Sequence, residues 1–357
     1  MRKTALRADL AAAKIAALLL LLLSACSLFL GEEHDNSPMG IFNRIWNDFN
    51  ETYALFDERL QGESWEEVRK ELSAHISPDM SNYALFEVCA DMVNRLNDPH
   101  VALTAPFSHS DLFKQNPASR FPFDQESVRR QLQDRGNLTK DEMFLYGVFT
   151  DTPRAGYLFI KDFINDSRVG LELTQEWAKE IDGIVQWLQS GTDFLIIDVR
   201  NNRGGFGSNM TYIASRFISE SKNYIQVSTK NGPGRNDFSA PVKFFVQPEG
   251  SRYSKPVVLL TNRHTASAAE WFTLALLTQS NVIHMGEASN GAFSARTDRL
   301  LVNGWIYSMS IQKVTGADGR QLEAVGISPN EEHRINNAPN IAFYGEDDQL
   351  KYARTLF

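Results

Sequence analysis

The stretch PVVLLTNRHTASAAEWFTLALL, Pro256 to Leu277, begins as a continuous apolar strand, crosses a short polar loop and continues as a helix. Trp271, Leu274 and Leu277 recur on one side of that helix, whereas Val257 to Leu260 show no alternation, as in a strand buried on both faces. The same texture surrounds it. AGYLFIKDF (155–163) and DFLIIDVR (193–200) read as strands, while ELTQEWAKEIDGIVQWLQS (172–190) and NMTYIASRFIS (209–219) read as helices. Strands alternating with helices predict a parallel or mixed sheet covered on both faces, an α/β fold. After it, LLVNGWIYSMSIQKV predicts a hairpin turning at Asn303-Gly304.

Upstream the period changes. IFNRIWNDFNETYALF (41–56), SWEEVRKELSAHI (64–76) and SNYALFEVCADMVNRL (81–96) each carry apolar residues at helical spacing, and the last stops at Asn97-Asp98-Pro99. These make a small N-terminal helical bundle over 39–104. Residues 105–147 are polar, contain three prolines and read as a connecting segment with one helix around QESVRRQLQD. An α/β domain over 148–345 follows.

The chain has 357 residues, 43% hydrophobic and 22% charged, with a formal net charge of -8. That balance argues against a nucleic-acid partner. The first 25 residues stand apart: Arg2, Lys3, Arg7 and Lys14 precede IAALLLLLLSAC, the pattern of a secretory signal peptide. Residues 1–25 also contain Asp9, so their removal takes the charge from -8 to -11. Residues 26–38 would form a polar tether. Two cysteines exist, Cys26 and Cys89; the second lies in an apolar helical pattern and reads as a buried core residue. No metal-ligand spacing occurs, and no cofactor is expected.

Four segments could carry chemistry, and each has a plain alternative. IIDVRNNRGGFGSNM takes a buried strand into a glycine-rich loop, which can donate backbone N–H groups to a phosphate or a developing oxyanion, or can simply turn. Ser267 starts a helix, where positive dipole and unpaired N–H groups favour nearby negative charge, but Ser267 and Glu270 also have capping-box spacing. His100, in LNDPHVAL, follows a helix stop and has the residue type a serine nucleophile needs as its base. Glu323, in DGRQLEAVGISPN, is by default a solvated charge.

Taken in order, LNDPHVAL, GYLFIKDF, FLIIDVRNNRGGFG, VVLLTNRHTASAAEWF, HMGEASNGAF, VNGWIYSMS and DGRQLEAVGISPN resemble the serine peptidase family of C-terminal processing proteases, tricorn core proteases and interphotoreceptor retinoid-binding proteins. The resemblance spans about residues 40 to 330 and implies a crotonase-like spiral core. It puts Ser267 at the nucleophile, with Gly204, Gly205 and the Ala268 N–H at the oxyanion hole. A Ser–Lys dyad of the processing-protease form is not available, because Ala292 occupies the lysine's slot in EASNGAFSA. The tricorn-like branch implies His100 as base and Glu323 as supporting acid, with Pro99 standing where that branch has a hydroxyl residue. Leu23-Ser24-Ala25-Cys26 resembles a bacterial lipobox and implies lipidation of Cys26, a membrane tether and a periplasmic or exterior location. No PDZ-like domain fits between the helices and the core. Peptide or protein substrates are implied. Two alternatives stay open: a non-catalytic ligand-binding protein on the same scaffold, and a Ser–Lys enzyme using a lysine from elsewhere, such as Lys313. The oligomeric state is not legible.

Overall fold

The computed structural model describes residues 35–110, 125–152, 154–164, 173–335 and 347–357. The signal-peptide, tether and Cys26 expectations fall on residues 1–38 and so lie largely or wholly outside it.

The N-terminal helices form on the apolar stripes read from sequence, although the pattern over 41–56 breaks after Thr52. Helix α1 (Pro38–Thr52) starts at Ser37, whose hydroxyl accepts from the Gly40 N–H, with Pro38 at the first helical position. It buries Ile41, Phe42, Ile45, Trp46 and Phe49. A single turn, α2 (Phe56–Arg59), follows. In α3 (Trp65–Ser73) Ser64 and Glu67 make both halves of a capping box. Ser81 caps α4 (Asn82–Asn94). Cys89 is fully buried in α4, and burial pushes its thiol up to about 12.

The bundle is completed from far along the chain. Its core also contains Leu301, Trp305, Tyr307 and Met309. These belong to the hairpin of β11 (Arg296–Leu300) and β12 (Ile306–Ser310), which turns at Asn303-Gly304 with Gly304 at φ +82°. Strand β12 pairs antiparallel with β1 (Ala102–Ala105), giving a four-stranded sheet in the order β11-β12-β1-β2, where β2 is Ser108–Ser110. The hairpin therefore packs on the helices rather than on the main sheet. Each fully buried aromatic contributed this way is worth roughly 1.5–3 kcal/mol, which is ample reason for the hairpin to leave the domain that precedes it in sequence.

The main sheet has six strands in the order β10-β9-β6-β5-β4-β3. Its parallel centre is β5 (Ala155–Ile160), β6 (Phe194–Asp198), β9 (Val257–Thr261) and β10 (Val282–Gly286). Every residue of β5, β6 and β9 is buried, because both sheet faces are covered. The antiparallel edge, β3 (Asn137–Leu138) and β4 (Phe144–Val148), comes from the segment read as a connector, so the α/β unit starts earlier than residue 148. That segment also supplies α5 (Gln125–Gln131), whose Val128 packs under the sheet with Leu350 and Ala353 of the C-terminal helix. The helix read over 172–190 divides at Glu180 into α6 (Glu176–Lys179) and α7 (Ile181–Gly191). With α8 (Gly207–Ala214) and α9 (Ala268–Leu277) these cover the other face. A three-stranded sheet, β13-β7-β8, adds β7 (Asn223–Thr229), β8 (Val242–Phe245) and β13 (Gln312–Gly316). Among the described residues no helix is long and apolar enough to cross a membrane.

Candidate functional site

Parallel strands β6 and β9 end side by side, and their carboxyl ends open into the two loops singled out by sequence, the usual crevice of such sheets. The loops are laced together. Asn201 and Asn262 exchange two hydrogen bonds, Thr265 Oγ1 donates to the Val199 carbonyl, and the Ala266 N–H donates to the Asn202 carbonyl.

Ser267 stands at the mouth of α9 with φ +57° and ψ -126°, a region that residues with a side chain rarely occupy. Such strain costs on the order of 1–3 kcal/mol and persists only when the surroundings enforce it. Here they do. The Ser267 N–H is held by the Ala292 carbonyl at 2.9 Å and by Glu270 Oε2 at 3.1 Å. The capping-box arrangement predicted by S-x-x-E is present in outline, but the Glu270 N–H bonds the Ser267 carbonyl at 2.8 Å. The hydroxyl makes no capping hydrogen bond and remains partly exposed.

Glu270 is fully buried, and burial pushes it up to about 7 against the pull of its donors. Beyond Ser267 these are Ser289 Oγ at 2.6 Å, the Gly291 N–H at 2.7 Å and the Ala292 N–H at 2.8 Å. One acid thus pins the Ser289–Ala292 turn against the serine.

Gly204 lies against that serine. A Cβ there would sit 2.7 Å from Ser267 Cβ, the Ala268 nitrogen and the Ala266 oxygen, and φ is +90°. Its own N–H is given to Asn202 Oδ1 at 2.8 Å, so Gly204 offers close approach rather than a donor. Among the described residues, the N–H groups of Gly205 and Ala268 carry no hydrogen bond. Gly205, at φ +141°, packs on the Phe163 backbone too closely for any side chain.

His100 is brought by the turn Asp98–Val101, closed by a Val101 N–H to Asp98 carbonyl bond of 3.0 Å. Its backbone N–H donates to Asp98 Oδ1 at 2.8 Å, and its carbonyl accepts from Ser308 Oγ at 2.7 Å. Burial, with the charges of Arg296 and Arg59, holds the imidazole below its ordinary value despite Asp98. It is therefore neutral near pH 7, the state a base requires.

Glu323 is 1% exposed, far from the solvated charge that is its default. Oε1 accepts from Arg59 at 2.6 Å and Oε2 from the Phe293 N–H at 2.9 Å. Burial and the Asp98 carboxylate push it up, while Arg59 pulls it back. Arg59 also donates to the Asn97 carbonyl at 3.1 Å and the Gly291 carbonyl at 2.5 Å. One guanidinium therefore ties the histidine's loop to the turn that holds the serine. Asp98, fully buried, accepts from the Tyr53 hydroxyl at 2.9 Å and completes the cluster.

Sequence reading singled out neither Arg59 nor Asp98. Asp98 was visible only as part of a helix stop, and Arg59, in a one-turn helix, has no periodicity to mark it. Lys313, considered as an alternative base, is held by Asp57 at 3.3 Å and Glu58 at 3.5 Å. Among the described residues no group of His, Cys, Asp or Glu is placed to hold a metal.

A model of peptidase family S41 matches residues 154–333. Carboxy-terminal processing protease CtpA of Bacillus subtilis is 29% identical over 198 residues, 54% of this chain and 41% of that protein. CtpB of the same organism is 25% identical over 176 residues, 49% of this chain and 33% of that protein. The chain thus spans well under half of these curated relatives. A crystal structure described as a candidate peptidase from Parabacteroides merdae superposes with a TM-score of 0.75 at 26% identity, covering 89% of this chain and 96% of that one. Mature CPAF, at 13% identity, shares the fold with a TM-score of 0.66 over 90% and 96% of the two chains.

Proposed function

This chain belongs to peptidase family S41, and we propose that it is a serine peptidase in which Ser267 attacks a peptide carbonyl and His100 serves as its base. The observation that carries this reading is Ser267 itself. Its backbone is forced into a strained conformation at a helix mouth, its hydroxyl is left uncapped, and the unpaired Ala268 N–H lies alongside. A structural cap needs neither the strain nor the free donor.

In the first half-reaction the hydroxyl oxygen bonds the carbonyl carbon while its proton passes to His100 Nε2. The developing oxyanion accepts from the N–H groups of Ala268 and Gly205, each worth roughly 3–4 kcal/mol in favourable cases. Gly204 permits that approach. The imidazolium then protonates the leaving amine, and the C–N bond breaks to leave an acyl-serine. Water, deprotonated by His100, releases the acid and restores the hydroxyl. Glu323 acts indirectly, as the carboxylate that seats Arg59 and the Phe293 backbone.

The core is proposed to be the crotonase-like spiral with an N-terminal helical bundle, and the substrates peptides or proteins. Cys26 is proposed to be lipidated, tethering the chain to a membrane on the periplasmic or exterior side.

A fluorophosphonate probe tests the reading. It is expected to label Ser267 in the folded chain, with Ser267→Ala abolishing both labelling and protein hydrolysis. A non-catalytic ligand-binding role, supported by the absence of any hydrogen bond between Ser267 and His100 among those formed, predicts no labelling and no hydrolysis to lose.

A further inference from the structure

Six of the fourteen large apolar side chains exposed among the described residues gather at one end of the helical bundle: Met39, Tyr83, Phe107, Leu300, Val302 and Ile306. Leu300, 74% exposed, is the most open of all and is the direct cross-strand partner of Ile306. Val302 lies in the turn between them. The turn at Pro106-Phe107 comes to the same end, because β1 pairs antiparallel with β12 and Thr104 stands opposite Ile306. Tyr83, in the first turn of α4, joins them with its ring 6.1 Å from Phe107, which is itself 6.1 Å from Trp305. Single exposed apolar residues are ordinary, whereas a group of them marks a contact surface. Both turns are also uncharged: Leu300 to Ile306 and Ala105 to Ser108 contain no Asp, Glu, Lys or Arg. An apolar environment can cover them without desolvating an ion.

The course of the chain indicates what covers this end. Helix α1 runs antiparallel to β12. The Ala54 N–H donates to the Ser310 carbonyl at 2.9 Å, and three residues nearer the hairpin turn Tyr307 meets Phe49 and Asp48. From Asp48 the helix continues about 15 Å to Pro38, and from Tyr307 the strand continues about 10 Å to Gly304. Helix α1 therefore begins at the level of the hairpin turn or beyond it. Cys26, the proposed lipidation site, precedes Asp35 by nine residues, at most about 30 Å of extended chain. An acyl anchor on Cys26 is thus confined to the end of the bundle that displays the apolar side chains.

We infer that this end is a docking surface for a lipid bilayer, with the Leu300–Ile306 hairpin turn and the Pro106-Phe107 turn entering the interfacial region beside the tether. The inference rests on the proposed lipidation of Cys26 and adds a second point of attachment to it. A single tether limits distance and leaves orientation free, whereas apolar contact fixes both. Strand β1 leads from the lipid-facing Pro106-Phe107 turn back to His100, so docking holds the proposed base at a set height above the bilayer.

The test uses the acylated chain in vesicles of phosphatidylethanolamine and phosphatidylglycerol, with one added cysteine carrying an environment-sensitive dye. Cys89 is fully buried and stays unlabelled. At Val302→Cys the emission is expected to shift to the blue and to be quenched by lipids spin-labelled on their acyl chains. Val242→Cys, an exposed position on β8, should show neither change. A chain that floats with the vesicles while its Val302→Cys dye stays unquenched overturns the inference, since the tether alone then holds it. Mass spectrometry of Cys26 separates the two readings. Absence of an acyl chain there overturns the lipidation, and sedimentation of the unacylated chain with the same vesicles then decides the surface. Leu300→Ser, Val302→Ser and Ile306→Ser together, all at exposed positions, should leave melting temperature unchanged and weaken that partition about tenfold. Equal partition of variant and wild type, or none by either, overturns the inference. So does a triple variant that loses self-association instead, which assigns the patch to a second copy, or one that raises KM with vesicle binding intact, which assigns it to peptide substrate.

Discussion

The turn that carries Ser267 and the turn that carries His100 are built on opposite principles. The serine's turn is assembled mainly within the α/β unit, from backbone N–H groups, asparagine amides and one buried acid that serves four donors, with Arg59 reaching it at the Gly291 carbonyl. The histidine's turn is held by an ionic cluster that crosses between lobes, with Arg59 bridging Asn97, Gly291 and Glu323. Around it the one-turn helix α2 acts as a latch: Lys313 meets Asp57 and Glu58, Gln321 donates to Glu58, and Arg235 lies over the Phe56 ring. In the proposed mechanism the nucleophile is thus prepared mainly by the loops around β6 and β9, whereas the base depends on contacts between the N-terminal helices and the rest of the chain.

The sharpest way to break this contrast is Arg59→Met. It strips the cation from Asp98 and Glu323 and leaves two carbonyls unmatched, at an expected cost of about 3–5 kcal/mol. Fluorophosphonate labelling should slow strongly, while hydrogen exchange at the Ser267 and Ala292 amides stays as protected as in wild type. Equal loss of protection in both turns would mean that they are not built independently.

Glu270 offers the complementary break. Its folded value of about 7 lies above the 4.5 of an unperturbed glutamate, so the folded state favours the protonated acid. The stability this contributes is fully present below about pH 4.5 and is lost as pH rises through 7, on the order of 3 kcal/mol. Glu270→Gln cannot ionise and turns an amide N–H₂ toward groups that are themselves donors, costing about 2–3 kcal/mol. Urea unfolding from pH 4.5 to 8 should show that penalty shrinking as pH rises. A penalty constant with pH would remove the assignment of a raised Glu270.

The smallest effect concerns the strain alone. Ser267→Gly should abolish labelling yet raise stability by about 1 kcal/mol, because glycine accepts φ +57° freely. A loss of stability would mean that the serine side chain, rather than the surrounding bonds, holds the turn.

Legibility in sequence followed the same divide. Strands β6 and β9, their loops and Ser267 could be read because continuous apolar runs, glycines and a capping spacing are local signals. The bundle helices were equally plain from their apolar periods. What could not be read is what the lobes exchange. Hairpin β11–β12 was recognised as a hairpin, but nothing local says that Trp305 and Tyr307 belong to a core begun by Phe49. Strands β3 and β4 were missed because two and five residues are too short, beside a polar stretch, to show a period. Glu323 looked solvated because its partner, Arg59, lies 264 positions away. Arg59 and Asp98 went unmarked because a buried ion cluster is a property of docking, and no spacing encodes it.

One measurement bears most directly on the central claim, that Ser267 is activated by His100: the pH-dependent rate at which a fluorophosphonate modifies Ser267 in wild type and in His100→Ala, with the site mapped by mass spectrometry. A single modified residue, Ser267, is expected, with a rate that falls at least about 100-fold in His100→Ala and loses its dependence on pH near neutrality. Undiminished modification of Ser267 in His100→Ala, or modification at another serine, would contradict it.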